Sequence, residues 1–501
     1  MRIRGIVAVC TVGILGLAVT PGAATAATDH SRLTRVSPAD PYAGCSLGAE
    51  SGTNFPGAEV EPSISVAPFD PNRVIGVFQQ DRWSDGGAKG LVAAYSTDHG
   101  QHFAETPLPF SACTPGGLPY ERASDAWVSI GPDGTAYASG LNFDAQGARN
   151  GVAAAVSHDG GRTWTHVTEL ISDTQAEFVD DKNSVTADPV RIGTAYQVWD
   201  RLDFGPTGNT FTGPAFLSVT HDFGRTWSPA RPIVNTVDNQ QTIGNVIVAD
   251  PRTGRLYDVF TLITGPTATM SIIRSDDGGR TWTTPATAAT DTSIGDVDPN
   301  TGAALRTGAG LPSVALDRVT GALYVVYPGT DFTAGKLNQI QLVRSTNGGR
   351  TWSAPQRVNG QPQAEAFTPS VTVRDDGTVA VTYYDIRTLQ PGNTTTLPTT
   401  TWLTTSPRGG TDFGDERQIA PAFDALLAPN AGGFMVGDYE GLANAGDGVR
   451  PLFEVTNTGQ PAHPTDIVTG TFAAEPHDSV RAPSFATATR ALPQRGPRTL
   501  R

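Results

Sequence analysis

One short string recurs along the chain and constrains the fold more than anything else in it. Ser157–Trp164 reads SHDGGRTW, and Ser275–Trp282 reads SDDGGRTW. Variants stand at Thr220–Trp227 (THDFGRTW) and Ser345–Trp352 (STNGGRTW). A weaker copy at Ser96–Phe103 (STDHGQHF) and a degenerate one at Ser406–Phe413 (SPRGGTDF) end in Phe instead of Trp. The hydroxyl and the carboxylate can bond turn backbone groups. Glycine takes the positive φ that tight turns need. The closing aromatic enters the next strand and fills space between sheets. The string therefore reads as a hairpin turn, and its Asp residues are structural.

A second element precedes each turn. Pro62–Val66, Ala126–Ile130, Asn183–Ala187, Asn245–Ala249, Pro312–Leu316 and Pro369–Val373 are short β-rich runs. Each is followed by a turn such as Gly131-Pro132-Asp133-Gly134 and then a second β-rich run such as Val379–Tyr383. The period of roughly 60 residues suits one four-stranded antiparallel sheet per repeat. Such sheets stack radially into a β-propeller, which protects their edges. The expectation is all-β: seven blades, with six as the alternative count. A shorter last blade would run from Met435–Asp438 through Val449–Val455 and Asp466–Phe472, completed by a strand near Arg32–Val36.

The boundaries follow. Residues 1–27 read as a signal peptide, with Arg2 and Arg4 before the apolar run Ile6–Val19 and an Ala-x-Ala at Ala24–Ala26. Residues 28–57 form an N-terminal segment, 58–473 the propeller, and 474–501 a disordered tail rich in Arg and Pro. The two cysteines beyond the signal, Cys45 and Cys113, suggest one disulfide in an exported protein. A net charge of −14 argues against nucleic acid as a partner. No later run is apolar enough to insert in a membrane. Asp296–Gly302 alternates oxygen-bearing residues as calcium loops do, but its glycine falls one position late for an EF-hand. The reading carries no metal and no cofactor.

In each repeat the start of the first strand and the end of the second share one face. Those positions are polar. The first-strand starts carry Glu59 and Glu61, Asp125, Asp180-Asp181-Lys182, Glu365, and Asp438 with Glu440. The second-strand ends carry Asp81-Arg82-Trp83, Asp200-Arg201, and Tyr384-Asp385 with Arg387. Arginine gives bidentate recognition of carboxylate or sulfate, and a carboxylate beside it can serve as acid, base or nucleophile. Trp83 and Trp127 offer faces on which a sugar can stack.

The repeats resemble the Asp boxes of the sialidase (neuraminidase) superfamily, also called bacterial neuraminidase repeats, over about 61–413. That resemblance implies a secreted, extracellular glycoside hydrolase of exo-α-sialidase-like type, acting as a monomer on an acidic or decorated glycan or glycoconjugate. A non-catalytic carbohydrate-binding propeller and a polysaccharide lyase using Tyr384 or Tyr439 as base are the alternatives. By the resemblance Asp81 takes the acid/base position. Tyr439, in Gly437-Asp438-Tyr439-Glu440-Gly441-Leu442, takes that of the late nucleophile. Glu440 and Asp125 complete the catalytic candidates. Arg82, Arg201 and Arg387 are candidates for a substitute arginine triad, with Trp83, Glu61, Asp181 and Asp385 around the substrate. The chain departs from the family at Glu61-Pro62-Ser63-Ile64, where members carry Arg-Ile-Pro. It departs again at Thr242–Asn245, where a mid-chain Glu is expected.

Overall fold

The computed structural model describes residues 33–473 except positions 38, 50, 209, 408, 415 and 447. The proposed signal (1–27) and tail (474–501) lie outside the described residues. Within them the chain is an all-β propeller, and the helical element among them is a 3-10 turn at Ala425–Leu427.

The inner strands are Glu59–Ala67, Arg122–Ile130, Phe178–Ala187, Gln240–Ala249, Ser313–Leu316, Ala366–Val373 and Gly441–Asn444. Each packs against the next, and the last packs against the first, so the circle closes. Strands within a unit run antiparallel: Glu59–Ala67 pairs with Asp70–Arg82, which pairs with Ala88–Ser96, which pairs with Ala104–Pro107. Apolar clusters lie between units. Ile75, Val77 and Leu91 of the first unit meet Val128, Ala138 and Ala153 of the second.

Closure uses both ends of the described chain. Thr34–Arg35 pairs antiparallel with Thr465–Thr469, outside Val449–Thr456 and Gly441–Asn444. The N-terminal strand thus sits where the sequence placed it. The start of this last unit differs from expectation. Phe434–Met435 pairs in parallel with Leu305–Arg306 of a distant loop, and Gly437, at φ 84°, turns the chain before the inner strand begins at Gly441. The disulfide Cys45–Cys113 fastens the N-terminal segment to the first unit, with Cα atoms 5.6 Å apart.

The repeated turns share one bonding pattern. Ser157 Oγ donates to Asp159 Oδ1 (2.8 Å) and accepts from Gly161 N (2.9 Å). Thr163 N donates to Asp159 Oδ1 at 2.9 Å. The same bonds recur around Asp98, Asp222, Asp277 and Asn347. Ser406 keeps the serine half, accepting from Gly410 N at 3.1 Å. The closing tryptophans pack into clusters between units, Trp164 against the first and second units. Asp296–Gly302 forms a turn of its own: Asp298 accepts from Asn300 N at 2.9 Å and from Thr301 Oγ1 at 2.5 Å.

Candidate functional site

Five inner strands break register at equivalent places, between Val60 and Ser63, Ser124 and Trp127, Asp181 and Ser184, Ile243 and Val246, and Phe367 and Ser370. At each break one residue is left-handed: Glu61 (φ 55°), Asp125 (54°), Lys182 (45°), Gly244 (71°) and Thr368 (47°). A β-bulge re-aims the side chain it carries. A non-glycine residue in this region costs about 1–3 kcal/mol, and such residues cluster at functional sites. Here three charged side chains are turned toward the axis by three neighbouring bulges.

They meet at the floor of a cleft of about 800 Å³, lined by Arg82, Asp125, Asp181, Lys182, Arg306 and Asp438 among others. Lys182 Nζ lies 2.8 Å from Asp438 Oδ2, 3.4 Å from Asp125 Oδ2 and 3.7 Å from Glu61 Oε1. Arg306 grips Asp438 through two bonds, Nε to Oδ1 at 3.0 Å and Nη2 to Oδ2 at 2.7 Å. Its Nη1 donates to Ala431 O at 3.1 Å. Arg82 reaches Glu61 through Gln79: Arg82 Nη1 donates to Gln79 Oε1 at 2.6 Å, and Gln79 Nε2 donates to Glu61 Oε2. Tyr439 lies beneath the floor. Its ring meets Trp127 with centroids 5.4 Å apart, Lys182 Nζ stands 5.7 Å from its centroid, and its hydroxyl is buried without a hydrogen-bond partner. Gly308 lets the Arg306 loop close against this floor, since a Cβ there would collide with the Asp438 carbonyl.

The floor separates protonation states. Burial pushes the Glu61 carboxyl up to about 7, against the pull of Lys182. Burial also raises Asp181, aided by the charge on Asp125. Asp438 goes the other way: burial opposes its charge, but Lys182 and Arg306 outweigh that and hold it well below the usual carboxylate range. Burial alone would lower Lys182, yet Asp125, Asp438 and Glu61 keep it firmly charged. Asp180, higher on the wall, is raised to about 7 by burial and by Asp173. Glu61 and Asp438 are thus shifted in opposite directions around one ammonium.

The structure brings together Glu61, Asp125, Asp181, Arg82 and Tyr439 of the sequence candidates. It places the others elsewhere. Arg82 lines the cleft, whereas Asp81, left-handed at φ 64° where the strand pairing skips from Gln80 to Arg82, does not. Asp81 pairs with Lys89 at 2.8 Å and accepts from Gly57 N at 2.7 Å. Trp83 lies under the Arg122 guanidinium, 4.5 Å from its ring centroid. Arg201 makes a fork to Asp173 (2.9 and 2.8 Å) over the ring of Phe178. Arg387 pairs with Asp385 and Glu416, both at 2.5 Å, over Trp402, whose Nε1 also holds Asp385. The Arg82–Arg201–Arg387 triad therefore does not form. Glu440 is buried below the floor beside a smaller axial cavity of about 130 Å³. Tyr384 is buried and donates to Glu454 O at 2.7 Å.

Sequence reading passed over Lys182 and Arg306 as site residues. Lys182 carried a signal: it occupies the position of Glu61 and Asp125 in its own repeat. Arg306 carried none, because it lies in a loop outside every repeat.

No family model matches this chain, and no curated protein matches it in sequence. Among solved structures it is similar to a protein of unknown function from Dyadobacter fermentans (13% identity, covering 73% of this chain and 95% of that one, TM-score 0.45). It is also similar to the Hadza microbial sialidase Hz136 (18%, 66% and 64%, TM-score 0.44). A third is the Penicillium chrysogenum α-L-arabinanase complexed with arabinobiose (13%, 84% and 98%, TM-score 0.42). At such identities and TM-scores no residue role carries over from these proteins to this chain.

Proposed function

We propose that this chain is a secreted, sialidase-like glycoside hydrolase of the Asp-box kind, acting on an acidic or decorated extracellular glycan. The observation that carries the reading is that Asp125 and Asp181, on neighbouring inner strands, both line the cleft beside Lys182. Glycoside hydrolysis uses two carboxyl groups, one as acid and one as nucleophile or base. Asp181, raised by burial, is the proton donor to the glycosidic oxygen. Asp125, whose Oδ1 accepts from Ser124 Oγ at 2.6 Å, is the nucleophile or the base for water. Arg306 and Lys182 meet an acidic substituent, and Asp438 holds those two cations in place. The Cys45–Cys113 bond supports export, since such bonds persist in oxidising compartments.

One observation favours a non-catalytic binding propeller: Glu61-Pro62-Ser63-Ile64 stands where sialidases carry Arg-Ile-Pro. The lyase reading has less support, because Tyr384 is buried away from the cleft and Tyr439 lies under its floor. Hydrolysis of a panel of sialosides and acidic oligosaccharides tests the proposal. Turnover lost in Asp125→Asn supports it. Glycan binding with no turnover by the wild-type protein leaves the binding propeller. A new ultraviolet absorbance from an unsaturated product would mean a lyase.

A further inference from the structure

The loop bearing Arg306, residues 291–312, enters the cleft from between the fourth and fifth units; beside its pairing with Phe434–Met435 it is fastened at a buried carboxyl. Asp296 lies at that point and is 1% exposed. Its backbone carbonyl accepts from Leu305 N at 2.9 Å, and its carboxyl accepts from Thr307 Oγ1. Both neighbours of Arg306 are thus tied to one residue. Asp296 is in turn held by Asn338, whose Nδ2 donates to Asp296 Oδ1 at 2.8 Å and to Ile294 O at 2.6 Å. Asn338 Oδ1 accepts from Ile294 N at 3.1 Å. Behind Asn338 stands Glu365, 4% exposed, accepting from Asn338 N at 2.9 Å and hydrogen-bonded to the Asp296 carboxyl.

We infer that Asp296 and Glu365 are positioning residues that share one proton and thereby steady the loop that carries Arg306 to the cleft floor. Two buried carboxyl groups in hydrogen-bond contact need that proton, since with both ionised they repel in a medium that screens poorly. The groups facing the pair are Thr307 and Asn338, both neutral, and no cation compensates it. Burial and the neighbouring Asp296 raise Glu365 to about 8. Above that pH repulsion between the two carboxylates loosens the fastening of Leu305 and Thr307, while the pairing with Phe434–Met435 remains and Arg306 is held less firmly. The inference rests on the proposed role of Arg306 in meeting the substrate, but its test reads the loop directly.

Hydrogen exchange of residues 295–311, corrected for intrinsic rates, is compared at pH 6.5 and 9 in the full chain. Wild type is expected to lose protection at least tenfold at pH 9. Glu365→Gln, which keeps a neutral hydrogen-bonding group, is expected to hold it. In the hydrolase assay, wild type should show KM rising about tenfold or more above pH 8 with a smaller change in kcat, and Glu365→Gln should remove that rise. Equal protection at both pH values in wild type, or the same alkaline loosening in Glu365→Gln, overturns the inference. Loosening as expected, in a protein without turnover, removes the hydrolase reading and leaves the positioning pair standing.

Discussion

Lys182 and Asp438 lie 256 residues apart in the chain, yet Lys182 Nζ stands 2.8 Å from Asp438 Oδ2. The contact spans the cleft floor from the third unit to the approach to the last, so it exists only when the circle is closed. Lys182 is also the common partner of Asp125 and Glu61.

Lys182→Met leaves three buried carboxylates without their ammonium. Breaking a buried ion pair by removing one partner costs about 3–5 kcal/mol, and proton uptake by Glu61 moderates the loss. Chemical denaturation at pH 7 should show this as a lower midpoint with unchanged slope. An unchanged midpoint would mean that solvent already neutralises the cluster.

If Asp125 and Asp181 act as proposed, their amide variants separate in pH behaviour. Asp125→Asn should remove turnover at every pH. Asp181→Asn should lower it by roughly 10²–10⁴-fold and abolish the alkaline fall that follows loss of the Asp181 proton. Steady-state kinetics from pH 4 to 9 on wild type and both variants reads this out. An alkaline limb that survives in Asp181→Asn assigns the donor to another group.

Asp258 is fully buried, and neither carboxyl oxygen has a hydrogen-bond partner. Burial and then the nearby Asp200 raise it well above its ordinary value. Its folded value exceeds its unfolded one, so its contribution is complete below pH 4. That contribution is lost as pH climbs toward the folded value, at up to about 1.4 kcal/mol per pH unit. Asp258→Asn should flatten the slope, and Asp258→Leu should raise stability at pH 7. Urea midpoints at pH 4.5, 5.5 and 7 decide the matter, and parallel curves for wild type and Asp258→Asn would contradict it.

The Cys45–Cys113 bond closes a separation of 68 residues. A loop of that length gives about 4 kcal/mol in the chain-entropy account. Cys45→Ala with Cys113→Ala should therefore lower the unfolding midpoint markedly and free the N-terminal strand first. Early proteolysis within residues 33–57 is the expected sign, and cleavage elsewhere first would count against it.

The turn string was legible because it is local. Its serine, aspartate and glycines bond within eight residues, so their identities and spacing suffice to specify the hairpin. Glu61, Asp125 and Lys182 were legible only as polar residues at strand starts. The structure places each within a longer strand, at a bulge with φ between 45° and 55°. A left-handed residue interrupts the alternation that marks a strand, so each strand seemed to begin after it.

By itself the sequence determined the repeat, its turn chemistry and the antiparallel sheets, because hairpins are built from near neighbours; the closing N-terminal strand was legible only as the strand the last repeat lacks. Tertiary structure alone decided which polar groups share the cleft. Asp81 and Arg82 are adjacent in sequence but only Arg82 lines the cleft, whereas Lys182, Arg306 and Asp438 are distant in sequence and meet at one point. Side-chain direction at a strand end depends on pleat and bulge. Convergence depends on ring closure, which brings together segments that no local pattern links.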